Sequence, residues 1–185
     1  MQSARMARWS LFITLGAAAD TARRSVPRVT CAGRDAATIM ATEGGGDADL
    51  QVRIGHVHYC GNKDGIKNHV QARRYYQLAA AQGNAEGQAT LGQMLSRGEG
   101  GPQDLVEARR MNTLAAAQGH VVAQTFLGIM HYQGDGGAQD FVEARRQLGL
   151  AAAQGHAEAL AWLGTMHYRG EGGPNDYVEA RGRCC

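Results

Sequence analysis

Apolar and small residues between positions 42 and 185 follow a pattern that repeats itself at a fixed step. The hexapeptide LAAAQG begins at Leu78, Leu114 and Leu150, each 36 residues after the last. Leu91-Gly92, Leu127-Gly128 and Leu163-Gly164 keep the same step, as do the E-A-R triplets that begin at Glu107, Glu143 and Glu179. Glycine segments follow suit: Gly98-Glu99-Gly100-Gly101, Gly134-Asp135-Gly136-Gly137 and Gly170-Glu171-Gly172-Gly173. A degraded earlier copy is also present. Gly46-Asp47-Ala48-Asp49 matches Gly83-Asn84-Ala85-Glu86, Ile54-Gly55 matches Leu91-Gly92, and one extra residue sits between Gly61 and Val70. Self-similarity of this period marks stacked supersecondary units, none of which buries its apolar face alone.

Each unit reads as two helices. Asp104, Asp140 and Asp176 are placed to cap the second one, with Glu107, Glu143 and Glu179 three residues on. That D-x-x-E spacing predicts a reciprocal box in which each side chain satisfies a free backbone donor at the other's end. Gly83, Gly119 and Gly155 follow the alanine run, where a left-handed residue ends a helix. Gly92, Gly128 and Gly164 fall inside the first helix, where each costs about 1 kcal/mol. Their regular placement predicts close approach of a neighbouring helix. The fold class is therefore all-α: a right-handed α-solenoid of antiparallel helix pairs. Its units cover about 42–77, 78–113, 114–149 and 150–185, the first degenerate and the last truncated.

The Leu-Gly of the first helix, the glycine loop with Pro and Asp, and the closing A-A-x-Q-G resemble the Sel-one-like repeat (SLR), a relative of the tetratricopeptide repeat (TPR). The resemblance covers about three quarters of the chain. The family pattern carries a valine in the loop, but three units here have Gly101, Gly137 and Gly173, which predicts a looser loop. The family tyrosine of the first helix is replaced by His58, Leu95, His131 and His167. The tryptophan position of the second helix holds Tyr75, Met111 and Gln147. The paired cysteines of some secreted bacterial members are missing.

Composition adds bounds. There are 26 glycines but only 6% aromatics, which suits alanine-rich helices packed closely better than a core of large side chains. A net charge of +2 implies no strong pull towards nucleic acid. Residues 1–41 stand apart as a targeting segment or disordered tail. Arg5 and Arg8 precede a short apolar stretch, Trp9 to Ala19, that ends in three alanines, the order of a secretory signal. Residues 1–34 also hold six arginines, no lysine and one acid, which suits an organelle transit peptide or a plain basic tail equally. The compartment is accordingly the secretory pathway or endoplasmic reticulum if residues 1–19 are a signal, and otherwise an organelle or the cytoplasm. No segment is long and apolar enough to span a membrane. Cys31, Cys60, Cys184 and Cys185 have neither C-x-x-C nor zinc spacing and read as free thiols.

Candidate chemistry is sparse. His56 and His58 are two apart on a helix and point to different sides, so they do not share an ion. Those at the tyrosine position read as structural, and His120 and His156, at the helix entry, as caps or plain loop residues. No G-x-S-x-G, H-E-x-x-H, Walker or S-x-x-K motif occurs, so neither a catalytic residue nor a cofactor is expected. The arginine ladder Arg73-Arg74, Arg109-Arg110, Arg145-Arg146 and Arg181 reads as a solvated face rather than a nucleic-acid rib, since Glu107 and Glu143 lie three residues before Arg110 and Arg146.

The resemblance implies a scaffold or adaptor that binds a peptide or protein on the concave side of its first helices. Family spacing nominates Tyr59, Gln93, Arg97, Ile129, Tyr132, Gln133, Thr165, Tyr168 and Arg169. Tyrosine and arginine are favoured hot-spot types. Two other readings are a weak hydrolase of the secreted repeat-protein type and a non-functional fragment of a longer array. The fourth unit lacks the A-A-x-Q-G close, which predicts self-association or partner binding through the C-terminal end, with Cys184 and Cys185 nearby.

Overall fold

A computed structural model describes residues 47–61 and 65–173. The chain divides into residues 1–33 and 34–185, and all described residues belong to the second part. Among the described residues seven helices of 13 residues follow one another: α1 (Ala48–Cys60), α2 (His69–Ala81), α3 (Ala85–Arg97), α4 (Leu105–Ala117), α5 (Val121–Gln133), α6 (Phe141–Ala153) and α7 (Ala157–Arg169). Odd-numbered helices are the first of each unit and even-numbered ones the second. Each packs on its sequence neighbours, the second helix of one unit lying against the first helix of the next. No strand occurs among the described residues, and the fold is an all-α helical repeat.

The caps account for where these helices begin. Asp104 and Asp140 accept the N–H of Glu107 and Glu143 at 2.9 and 3.0 Å. Asn68 does the same for Gln71 at 3.0 Å in the degenerate first unit. The other half of the expected box does not form. The N–H of Asp104 donates to Leu95 O and that of Asp140 to His131 O, which closes the loop onto the first helix. With that donor taken, Glu107 and Glu143 turn to Arg110 and Arg146 instead, at 2.6–2.8 Å. The Arg146 hydrogen bond holds the Glu143 carboxyl down to about 2. Asp104→Ala is thus expected to lower stability by about 1 kcal/mol, and Glu107→Gln far less, as read by urea denaturation.

Close approach at the helical glycines is as expected. A Cβ on Gly55, Gly92 or Gly128 would stand 2.6–2.8 Å from Tyr76, Asn112 or Leu148, the equivalent residues of α2, α4 and α6. Those three side chains are fully covered, together with Ala72, Ala108 and Ala144 beside them. Small residues on both sides are what let 13-residue helices, marginal alone, pack close enough to be stable. Gly101, Gly137 and Gly173 do not loosen the loop: a Cβ there would collide with the guanidinium of Arg73, Arg109 or Arg145 from the preceding unit. The cysteine expectation is corrected as well, because Cys60 is disulfide-bonded, its partner lying outside the described residues. Asp176, Cys184 and Cys185, like the N-terminal segment, also fall outside them.

Candidate partner-binding face

The nominated residues sit on α1, α3, α5 and α7, and the structure brings some of them together across unit boundaries. Tyr132 at the end of α5 lies edge-on to Phe141 at 5.3 Å and tilted against Trp162 of the next unit at 5.2 Å. Arg169 of α7 donates to the Tyr132 hydroxyl at 2.8 Å and stands 3.9 Å from Glu171. Burial, with Glu171 close by, pushes the Tyr132 phenol above its ordinary value. The same triad recurs two units earlier: Tyr59 faces Arg97 and Glu99, and burial followed by Glu99 raises its phenol too. Arg97 and Glu99 are 3.8 Å apart, and Tyr59 stacks on His69 at 5.1 Å. At the intervening boundary these three positions hold Ser96, Gln133 and Asp135.

Tyr168 and Arg169 are exposed, while Ile129, Gln133 and Thr165 are half-buried. Gln93, on α3, is only 6% exposed and does not line an open surface. On the acidic edge of the same helices Glu86 lies 3.7 Å from His56. The helix-entry histidines differ from one another. His120 Nδ1 accepts from the Ala123 N–H at 3.2 Å and caps α5. His156 makes no such cap and instead meets Thr125 Oγ1 of the preceding unit at 3.0 Å.

Two sets of joint residues were hidden from the sequence reading. The arginine ladder is not one solvated face, because its two members do different things. The first of each pair crosses to the next unit, Arg73 Nη1 donating to Pro102 O at 3.1 Å and Arg109 Nη1 to Ala138 O at 3.3 Å. The second stays with its own unit's glutamate in two units, Arg110 with Glu107 and Arg146 with Glu143. The glutamine of LAAAQG is the other joint: Gln118 Nε2 donates to Gln88 Oε1 at 2.8 Å and to Gly83 O of the preceding unit at 3.0 Å. Gln154 repeats this on Gln124 and Gly119 at 2.9 and 3.4 Å. Strict recurrence was the available signal, but it does not say what a side chain touches.

The second helices present a different surface. Val70, Val106 and Val142 are 64–69% exposed, and Leu78, Leu114 and Leu150 are 40–45% exposed. Between α2 and α4 lies an open cavity of about 560 Å³ floored by Leu91, Leu95 and Met111. Among the described residues no three His, Cys, Asp or Glu side chains gather as a metal site would require, and no helix is long and apolar enough to cross a membrane.

The Sel1 repeat family model matches four consecutive segments, residues 48–84, 85–120, 121–156 and 157–182, in phase with the helix pairs. Among solved structures, the chain resembles c5321, a protective antigen present in uropathogenic Escherichia coli strains, which displays an SLR fold. Identity is 31%, the TM-score is 0.74, and the match covers 84% of this chain but 32% of that one. A Sel1 repeat protein from Oxalobacter formigenes matches at 29% identity and TM-score 0.71, over 80% of this chain and 60% of that one. No curated protein matches significantly. Four matched repeats, whose helices, glycine contacts and loop joints recur from unit to unit, make this chain a member of the Sel1 repeat family.

Proposed function

We propose that the chain is a protein-interaction scaffold that holds a peptide or protein segment against its first helices. Sel1 repeats are typically interaction scaffolds, and the observation that carries the finer reading is the Tyr132–Arg169 pair with exposed Tyr168 beside it. An aromatic and an arginine already fixed by neighbours lose little side-chain freedom on binding, which favours them as anchors. A rigid stack of units supplies the extended surface such a segment needs.

The test is capture of partners by the full chain, followed by quantitative binding of whichever partner is recovered. Tyr132→Ala and Arg169→Ala are each expected to weaken binding by more than 1 kcal/mol, roughly fivefold or more. Val106→Ser and Val142→Ser, on the second helices, are expected to leave it unchanged. The opposite pattern would move the binding face to the second helices. A nitrocefin hydrolysis assay on the same protein separates this reading from the weak-hydrolase one, which predicts turnover.

A further inference from the structure

At each joint, an arginine from the second helix of one unit reaches the next unit's glycine loop, but the joints differ in one position. Arg109 Nη2 lies 2.5 Å from His131 Nδ1, and Arg145 Nη2 lies 2.6 Å from His167 Nδ1. At the first joint the equivalent of those histidines is Leu95, a buried residue, and Arg73 meets only the loop. A guanidinium carries donors and no acceptor. The ring nitrogen it meets accepts only while it keeps its lone pair, so the Arg109 contact requires a neutral His131 ring. The guanidinium also has nowhere to retreat within the joint. It already fills the space that a Cβ on Gly137 or Gly173 would take.

We propose that the second-to-third joint is an acid-sensitive latch: neutral His131 holds Arg109, and protonating it sets two cations together, expels the guanidinium and loosens the pairing of adjacent units. The first joint, built on Leu95, does not respond. Every group facing His131 is accounted for. Arg109 comes from α4, while Asp140, Glu143 and Arg146 come from the cap and first turns of α6. Burial and Arg109 outweigh the two carboxylates and hold the ring below its ordinary value of 6.5. His167 meets Arg145 of α6 in the same way, but the second helix of its own unit lies outside the described residues, and the latch is assigned to His131 alone. The sign follows from linkage. A histidine whose folded value is depressed contributes stability that is present above 6.5 and is lost as pH falls through the folded value. The inference does not depend on which face binds a partner.

Thermal melts of the full chain at about pH 7.5 and about pH 5 test it, since imidazoles carry most of the charge change over that range, and the α-amino group and the Glu158 carboxyl, which burial raises, are the same in every variant. The wild-type chain is expected to melt lower in acid. In His131→Leu, which copies the first joint, that acid-induced drop should shrink by roughly 2–4 °C. Leu95→His, which places an imidazole beside Arg73, should enlarge it. His56, His120 and His156, also depressed by burial, remain in every variant and supply the residual drop. An unchanged drop in His131→Leu overturns the proposal. So does an NMR titration of the wild-type chain in which His131 protonates at or above 6.5, a measurement that needs no variant to fold.

Discussion

Gly136→Ala is expected to destabilise the repeat stack by about 2–5 kcal/mol, whereas Gly119→Ala costs about 1–2 kcal/mol. Both glycines have positive φ, +70° and +82°, so both substitutions force an L-residue into left-handed backbone. The difference lies in what surrounds them. Nothing stands within 4 Å of a Cβ on Gly119, which closes α4 at the surface. A Cβ on Gly136 would collide with the backbone carbonyl of Leu105 at the start of the preceding unit's second helix. Backbone does not rotate aside as a side chain does, so the two units must separate, and the Arg109 contact to Ala138 O is lost with them. Gly100, against His69 O, and Gly172, against Phe141 O, occupy the same place at the other joints and should behave alike. Urea titrations of the two alanine variants read the result directly. Equal losses would mean that the loop accommodates the methyl group without disturbing the joint.

Tyr76→Ala is expected to cost about 3–5 kcal/mol, while Tyr76→Phe should be neutral or slightly stabilising. Tyr76 is the largest fully covered side chain, and its ring fills the space left by Gly55 at 2.8 Å. The His56 ring meets it edge-on at 5.6 Å. Removing the ring leaves a cavity that glycine on the facing helix does nothing to fill. The hydroxyl is another matter: it is buried without a hydrogen-bond partner, and burial pushes the phenol far above its ordinary value. A buried donor that meets nothing carries a desolvation cost, which phenylalanine removes. A loss of more than about 1 kcal/mol in the phenylalanine variant would show that the hydroxyl is bonded after all. The same position holds Asn112 and Leu148 in the next two units, so the facing glycine accepts rings, amides and aliphatics alike.

Local chemistry made the helix pairs legible. Asp104 and Asp140 cap where the sequence places them, and Gly83, Gly119 and Gly155 adopt the left-handed conformation that ends a helix, with φ +82° at each. Even the close contacts at Gly92 and Gly128 were readable, because an accidental glycine does not recur every 36 residues. These properties depend on neighbours within a turn or two of chain, and periodicity reports them faithfully.

What the sequence left undecided depends mostly on contacts about 20 to 35 residues away. Arg109 and Arg110 are adjacent and recur together, yet successive helical residues point about 100° apart. One reaches the next unit's loop, 29 residues on, while the other closes on Glu107, three residues back. The glutamate expected to complete a capping box was diverted by a shorter-range contact within the unit, because the loop-closing bond from Asp104 to Leu95 O, nine residues back, had taken the N–H it would have accepted. Gln93 was nominated by its register on α3 but is buried, whereas Arg169, nominated on α7, is exposed. Cys60 forms a disulfide that spacing among four cysteines does not predict. The sequence by itself determined the unit, its two helices and their ends, since those are short-range balances of caps, glycine conformations and helix propensity. Only the tertiary structure decided which copies of a repeated side chain face a joint and which face solvent, because that depends on the stacking of one unit upon the next.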